Sequence, residues 1–523
     1  MDDDDDEQLA EIRAQVNEWS SNSNECLAIS LVSADGSDAA DRFAPAFTYP
    51  IFGEEEAIFG YQDLAIHLSF AAHDLKPHVD IKYAKAFPAQ GEVRPTDISA
   101  ALAEFLPADA FGARKADTAA GEFRPPGERI QSYARDGQDY EVWCASLADE
   151  QARTILQNMQ ILVPLFIEGG SILSLEQDWT TQRWKLFLLY HLARTARVPA
   201  YSLVGYGTSY RVFTFPDRQS PLQSDLDLFS EQTLEALLPP PSSHTIADTD
   251  VLAPPAHDPQ TPLDLPSRER LSQFLILPPH QGRAHGQALY NTMYTHLTAP
   301  ANIREFTVED PNEAFDDLRD LCDLRHLRHH LPAFASLRIN TDIPASALAS
   351  QAHIPTHLIV DGPAREHLLR STKLTQRQFD RVVEMHTLAF IPPLHRSRNR
   401  ITRKEKSSHP HDRAYFFWRL YVKQRLYVFN RDQLVQLERE ERVEKLEAAL
   451  DGVLAGYEGM LEKVGEGGGG RGGDGNGNGN GNGSTTEGAT APPKARKRKV
   501  VDSEDEEEGD ADGAEPGKKV RVQ

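Results

Sequence analysis

The stretch from Leu271 to Leu297, LSQFLILPPHQGRAHGQALYNTMYTHL, constrains the fold more than any other part of the chain. A short apolar run rich in Leu and Ile meets Pro278 and Pro279, then a loop with glycines at 282 and 286, then a stretch with helical spacing. The segment reads as a strand, a tight loop and a helix. Such a loop leaves backbone N–H groups at the helix start unpaired and backed by the positive end of the helix dipole, a site suited to a phosphate or pyrophosphate. Two familiar phosphate loops do not fit. A P-loop needs a Lys directly after its last glycine, and none follows Gly286; a dinucleotide fingerprint needs GxGxxG, and the glycines here stand only at 282 and 286.

The surroundings read as an α/β (α+β) chain in four regions. Residues 7–150 alternate strand-like segments such as HVDIKYAKAF with a helix at DISAALAEFL, a mixed N-terminal domain. Residues 151–325 start with a helix, QARTILQNMQILVPLFIEGG, followed by strands at RWKLFLLYHL and AYSLVGYGTSYRVFTF, the strand–loop–helix unit and a strand at REFTVED. Within them, residues 218–267 are dense in Pro, Ser and Asp and read as a disordered insertion. Residues 326–464 read as helical, and Val443, Leu446, Leu450, Val453, Tyr457, Met460 and Val464 form one stripe at spacings of three and four. Gly452, Gly456 and Gly459 each cost about 1 kcal/mol of helix propensity, so this helix needs tertiary contacts. Residues 465–523 form a Gly-rich linker and a tail with a basic cluster at Lys494 and Arg496–Lys499, the type read by nuclear import receptors, followed by an acidic run containing Ser503.

The 523-residue chain carries a formal net charge of −24, which disfavours direct nucleic-acid binding and favours a basic partner. No apolar run approaches a membrane span, and MDDDDDEQLAE lacks the regions of a signal peptide, so a soluble protein of nucleus and cytoplasm is expected. Cys26, Cys144 and Cys322 are too widely spaced for a disulfide framework or a CxxC site and read as reduced. His326, His329 and His330, and His409 and His411, lack an HExxH pattern or a Cys partner, so no metal is expected.

Gln281 and Gly286, with the strand QFLIL ahead of them, match the QxxGxG/A pattern of acetyl-CoA-binding GNAT N-acetyltransferases. FTVEDPNEAFDDLRD from Phe306, YPIFGEEEAIFGY from Tyr49 and KLTQRQFDRVVEM from Lys373 resemble, in the same order, segments of the type B histone acetyltransferase catalytic subunits, fungal forms included. The resemblance covers roughly residues 7–390, and more weakly the helices to about 464. It implies a GNAT domain with a mixed N-terminal domain and a helical C-terminal extension.

The residues themselves state the chemical problem. A lysine amine with a pKa of about 10.4 is protonated at neutral pH and cannot attack a thioester, so a general base is required. In REFTVEDPNEAF the strand ends at Glu309, while Asp310, followed by Pro311 and Glu313, reads as a helix N-cap with a capping box. Glu309 lacks such a structural role and, at the carboxyl end of a strand, faces the ligand cleft of an open sheet, which makes it the candidate base. The resemblance points to Glu309 as well and adds Glu168 and Asp310 as auxiliary bases; Glu168 reads equally as a partly buried carboxylate paired with a cation.

The resemblance also implies acetyl-CoA as co-substrate, with Phe274, Leu275 and Ile276 along the pantetheine arm. Gln281, Gly282, Arg283, Ala284, His285, Gly286 and Gln287 would surround the pyrophosphate, and Asn312 would lie on the cofactor's far side. Glu54, Glu55 and Glu56, with Tyr210, Arg211 and Val212, would border a groove for the tail of histone four, carried with its core-histone partner; a WD-repeat histone-binding subunit is the implied partner. Two residues depart from the pattern. Ala284 stands at the family's first motif glycine, and Leu321 replaces a polar or bulkier residue. They leave two alternatives open: a weak or inactive histone escort, and an acetyltransferase for another protein or a small amine.

Overall fold

The computed structural model describes residues 17–33, 36–89, 93–112, 123–174, 179–194, 199–214, 262–348, 353–401 and 409–466. Of the insertion expected over 218–267, residues 218–261 lie outside them, while Pro262–Asp264 form a short helical turn and Ser267 opens a strand, so its end is structured; the expected linker and tail lie outside them from 467 on. The described residues through Glu466 belong to one compact unit.

Its centre is a six-stranded sheet. The strands are β4 (Glu128–Arg135), β5 (Gln138–Ser146), β6 (Trp184–Arg194), β7 (Pro199–Phe213), β8 (Ser267–Ile276) and β9 (Ile303–Val308), neighbouring in that order. All pairs are antiparallel except β8 with β9. Two of these strands lie on the N-terminal side of the expected boundary at 150. A smaller sheet precedes them, formed by β1 (Leu27–Val32), β2 (Ala65–Ala71) and β3 (Pro77–Lys82), with β1 and β2 parallel.

The continuous apolar run LFLLY in β6 is explained by burial on both faces, because successive side chains of a strand point to opposite sides. Leu186, Leu188 and Tyr190 enter a core shared with the small sheet and with the helices α1 (Glu150–Met159) and α2 (Leu162–Phe166). Phe187 and Leu189 enter a second core, shared with α3 (His285–Thr298), α4 (Glu313–His330), α5 (Gly362–Thr372), α6 (Gln376–Leu388), α7 (Pro410–Phe429) and α8 (Arg439–Glu466). The sheet therefore has the N-terminal elements on one face and the C-terminal helices on the other, an α+β architecture.

The expected stripe lies on α8. Leu450, Tyr457 and Met460 are buried, Leu446, Val453 and Val464 are partly buried against the same core, and Val443 remains half exposed. A side chain at Gly456 or Gly459 would meet nothing within 4 Å, so tertiary contacts along the stripe, not the glycines, hold the helix. Burial pushes the Cys26 thiol up to about 11 and that of Cys144 up to about 12, and all three cysteines are free thiols. Among the described residues no helix is long and apolar enough to cross a membrane.

Candidate active site

The site begins with the way β8 is paired. Gly205, Tyr206 and Gly207 of β7 face Ile276, Leu275 and Phe274, but Ser209 faces Leu271, so three steps along β8 match two along β7. The extra residue makes a bulge at Ser272 and Gln273, where the Gln273 N–H donates to Thr208 Oγ1 at 3.0 Å. Glycine at 205 is required by the close approach of the strands, since a Cβ there would stand 2.6 Å from the Leu275 carbonyl oxygen.

On its other side β8 pairs with β9 only as far as Leu271 opposite Val308. The Glu309 N–H donates to the Leu271 carbonyl at 2.9 Å, and beyond that bond the strands part. Ser272 to Ile276 thus keep β7 on one edge and, among the described residues, have no strand paired on the other. An open strand edge is a row of backbone donors and acceptors available to an extended, amide-containing ligand.

Glu309 stands at the vertex of this gap, half-buried. Its Oε1 accepts from the Tyr210 hydroxyl at 3.1 Å and its Oε2 from Ser272 Oγ at 2.6 Å. Burial raises the Tyr210 pKa, so the phenol keeps its proton and donates; its ring stacks on Trp184 at 4.5 Å, and Arg270 Nη1 donates to its oxygen at 3.4 Å. Two donors on a half-buried carboxylate fix its direction. Ser272 and Trp184 carry no signal in the sequence, because a hydroxyl in LSQFLIL becomes a carboxylate partner only through the bulge that turns it.

Asp310 does not cap a helix. The N-cap of α4 is Asn312, whose side chain accepts from the Phe315 N–H at 2.9 Å, and Glu313 is the first helical residue. The chain needs two more residues to turn away from β9, and Asp310 supplies part of that turn with a φ of 34° in an exposed position. Asn312, expected on the cofactor's far side, thus has a structural role. Glu168 is exposed on the turn after α2. That segment reaches β8 through Gln273 Nε2, which donates to the Ser171 carbonyl at 3.0 Å.

At the far end of the gap, Gln281 turns back so that its Nε2 donates to the Ile276 carbonyl at 2.8 Å. Gly282 has a φ of 72°, and Ala284, the N-cap of α3, is left-handed at φ 55° and ψ 21° with no side-chain cap. Alanine at the N-cap offers no side-chain acceptor to the first N–H groups of α3, which fits a diphosphate. Under the loop, His285 is buried, and burial together with Arg135 and Arg283 pushes it down to about 4; burial together with His285 does the same for His280. Both are neutral at neutral pH. Tyr133 Oη lies 2.8 Å from His285 Nδ1, and Arg135 donates to the Arg283 carbonyl.

Phe274 stacks edge-on with Phe315 at 5.1 Å, while Leu275 and Ile276 are core residues on opposite faces, so only their backbones border the gap. Leu321 is buried in the core that includes the C-terminal helices. Of the acidic triplet, Glu54 and Glu55 are exposed, but Glu56 folds inward: its carboxylate accepts from the Thr48 and Tyr49 N–H groups at 2.7 and 3.2 Å and from Asn24 Nδ2 at 2.7 Å. Arg211 is held by buried Glu269 at 2.7 Å and by the Leu263 carbonyl, and Val212 pairs with Arg268 in the sheet.

The left-handed backbone at Ala284 costs an alanine about 1 kcal/mol relative to glycine. Ala284→Gly is expected to raise stability to denaturant by about 0.5–1 kcal/mol. Any gain in acetyl-CoA affinity beyond that reports contact between the Ala284 methyl and the phosphates, and an unchanged denaturation midpoint would rule out the strain.

Strands that part beside a bulge, with the Gln281–Gln287 loop at one end of the gap and a carboxylate at the other, give this chain the fold of a GNAT-type acetyltransferase. A family model described as the histone acetyl transferase HAT1 N-terminus matches residues 19–168. A type B histone acetyltransferase catalytic subunit from Aspergillus oryzae is 38% identical over 483 residues, covering 86% of this chain and 87% of the relative. Those of Pyricularia oryzae and Cryptococcus neoformans are 37% and 32% identical, covering 85% of this chain and 91% and 98% of the relatives. The chain belongs to the family of type B histone acetyltransferase catalytic subunits.

Proposed function

We propose that the chain is a protein-lysine N-acetyltransferase that carries acetyl from acetyl-CoA to lysines in the amino-terminal tail of newly made histone four, with Glu309 as the general base. The observation that carries this reading is the gap between β8 and β9, with Glu309 aimed by Tyr210 and Ser272 at its vertex and the Gln281–Gln287 loop at its mouth.

The residues fit the co-substrate. The uncapped start of α3 suits the diphosphate, and the open edge from Ser272 to Ile276 suits the amides of the pantetheine arm. Acetyl-CoA supplies the acetyl thioester. Glu309 takes the proton of the incoming lysine ammonium, the free amine bonds to the acetyl carbon as the thioester C–S bond breaks, and CoA leaves as a thiolate that takes up the amine's second proton. Tyr210 and Ser272 hold the carboxylate in place while it does so, and Asp310 and Glu168 remain auxiliary candidates at the rim.

Glu54 and Glu55, both exposed, are the carboxylates read to attract a Lys- and Arg-rich tail. The KM for a histone-four tail peptide should rise several-fold between low and physiological salt, and Glu54→Gln with Glu55→Gln should flatten that dependence. A KM indifferent to salt would remove both residues from capture. A WD-repeat histone-binding subunit, a histone pair as the natural substrate, and work in both cytoplasm and nucleus complete the reading.

The deciding experiment is acetyl transfer to a histone-four tail peptide followed by mass spectrometry, beside a panel of other basic peptides and small amines. Preference for the histone tail supports the reading. Tail binding without transfer would make the chain an escort, and preference for another acceptor would assign a different substrate.

A further inference from the structure

We propose that His395, His409 and Asp412 form a site for a divalent transition-metal ion of zinc type, with His411 available as a further donor, in the C-terminal helical region. The donors come from two separate segments. His395 ends the short turn Pro393–His395, while His409 is the N-cap of α7 and Asp412 lies in its first turn. A search of the sequence for HExxH or paired cysteines passes over such a set, because no local spacing joins residue 395 to residue 409.

One donor atom from each of the three side chains lies within 4.8 Å of the other two. Ligands of a tetrahedral zinc ion, at bond lengths near 2.1 Å, stand about 3.4 Å apart, so an adjustment of about an ångström closes the set. The His395 and His409 rings are 4.2 Å apart, and the His411 ring lies 5.2 and 5.5 Å from them.

Two further contacts favour a built site. His395 Nδ1 lies 2.6 Å from Asp412 Oδ1, and Asp412 is nine-tenths or more buried, so imidazole and carboxylate are already held together and a bound ion would take the place of the proton between them. His409 Nδ1 accepts from the His411 N–H at 3.3 Å, which leaves Nε2 for a ligand. Arg400 also donates to Asp412, at 2.8 and 3.4 Å, and shares the carboxylate with any bound ion. A set rich in imidazole with one shared carboxylate suits zinc, copper or nickel, and is poor in the oxygens that calcium and magnesium require.

The chain's other histidine cluster serves as an internal control. His326 and His330 lie 4.6 Å apart, and His329 and His330 5.9 Å, but among the described residues only the His395 group brings three donor atoms together. An ion bound there would tie the Pro393–His395 turn to the start of α7.

The test uses the full chain, stripped with chelator and titrated with zinc chloride by calorimetry and by thermal unfolding. One zinc per chain is expected, with a rise in Tm on loading. His409→Ala, which also removes the N-cap contact to the His411 N–H, should lower the zinc-free Tm slightly, abolish the zinc-induced rise and weaken binding at least tenfold, and His395→Ala should do the same to binding. His326→Ala should change neither. The proposal is overturned if submillimolar zinc gives no saturable binding, or if binding survives in both His409→Ala and His395→Ala.

Discussion

Glu309→Gln is expected to lower turnover at least about a hundredfold while leaving acetyl-CoA affinity nearly unchanged. The amide keeps the shape of the carboxylate, and its carbonyl can still accept from Tyr210, so the vertex of the gap retains its packing. What it loses is the capacity to take a proton from an amine whose ordinary pKa is about 10.4. Acetyl-CoA is read to bind along the Ser272–Ile276 edge and at the start of α3, neither of which includes this side chain. Single-turnover transfer to a histone-four tail peptide, paired with calorimetric binding of acetyl-CoA, separates the two effects. Turnover within about threefold of wild type would remove Glu309 from the mechanism and turn attention to Asp310 and Glu168. Equal loss of turnover and of binding would mark Glu309 as structural.

Glu384→Ala is expected to cost about 3–5 kcal/mol of stability, the largest effect of any substitution considered for the C-terminal helices. Glu384 on α6 is fully buried. It accepts from Arg425 Nε and Nη2 of α7 at 2.8 and 2.9 Å, and from the Tyr457 hydroxyl of α8 at 2.9 Å. One carboxylate thus joins three helices. Removing it leaves a guanidinium largely out of water with no opposite charge, and leaves the buried Tyr457 hydroxyl without that acceptor. Glu384→Gln, which keeps an acceptor and loses the charge, should cost less. Denaturant midpoints measure both, and a loss below about 1 kcal/mol for Glu384→Ala would mean that water reaches the cluster.

Much of the architecture was legible in the sequence. The strand–loop–helix unit lies where LSQFLILPPHQGRAHG places it, with β8 ending at Ile276 and α3 starting at His285. The stripe from Val443 to Val464 marks α8, because a period of three and four residues is written directly into the order of side chains. The bulge in β8 and its register appear only in the pairing with β7. The start of α4 was misplaced by two residues: Asp310-Pro311 has the composition of a capped helix, but the chain must first turn away from β9, and Asn312 takes the cap.

The sequence by itself determined the elements, the family and the residue types at the site, since local propensity, apolar period and motif spacing are properties of neighbours along the chain. The tertiary structure alone decided which of those residues meet. It set Tyr210 and Ser272 on Glu309 across 99 and 37 residues, turned Glu56 inward to Thr48 and Tyr49, and brought His395 to Asp412. These contacts depend on strand register, on a bulge and on the packing of the C-terminal helices against one face of the sheet. Such long-range geometry is fixed by burial of the whole core, and no short segment encodes it.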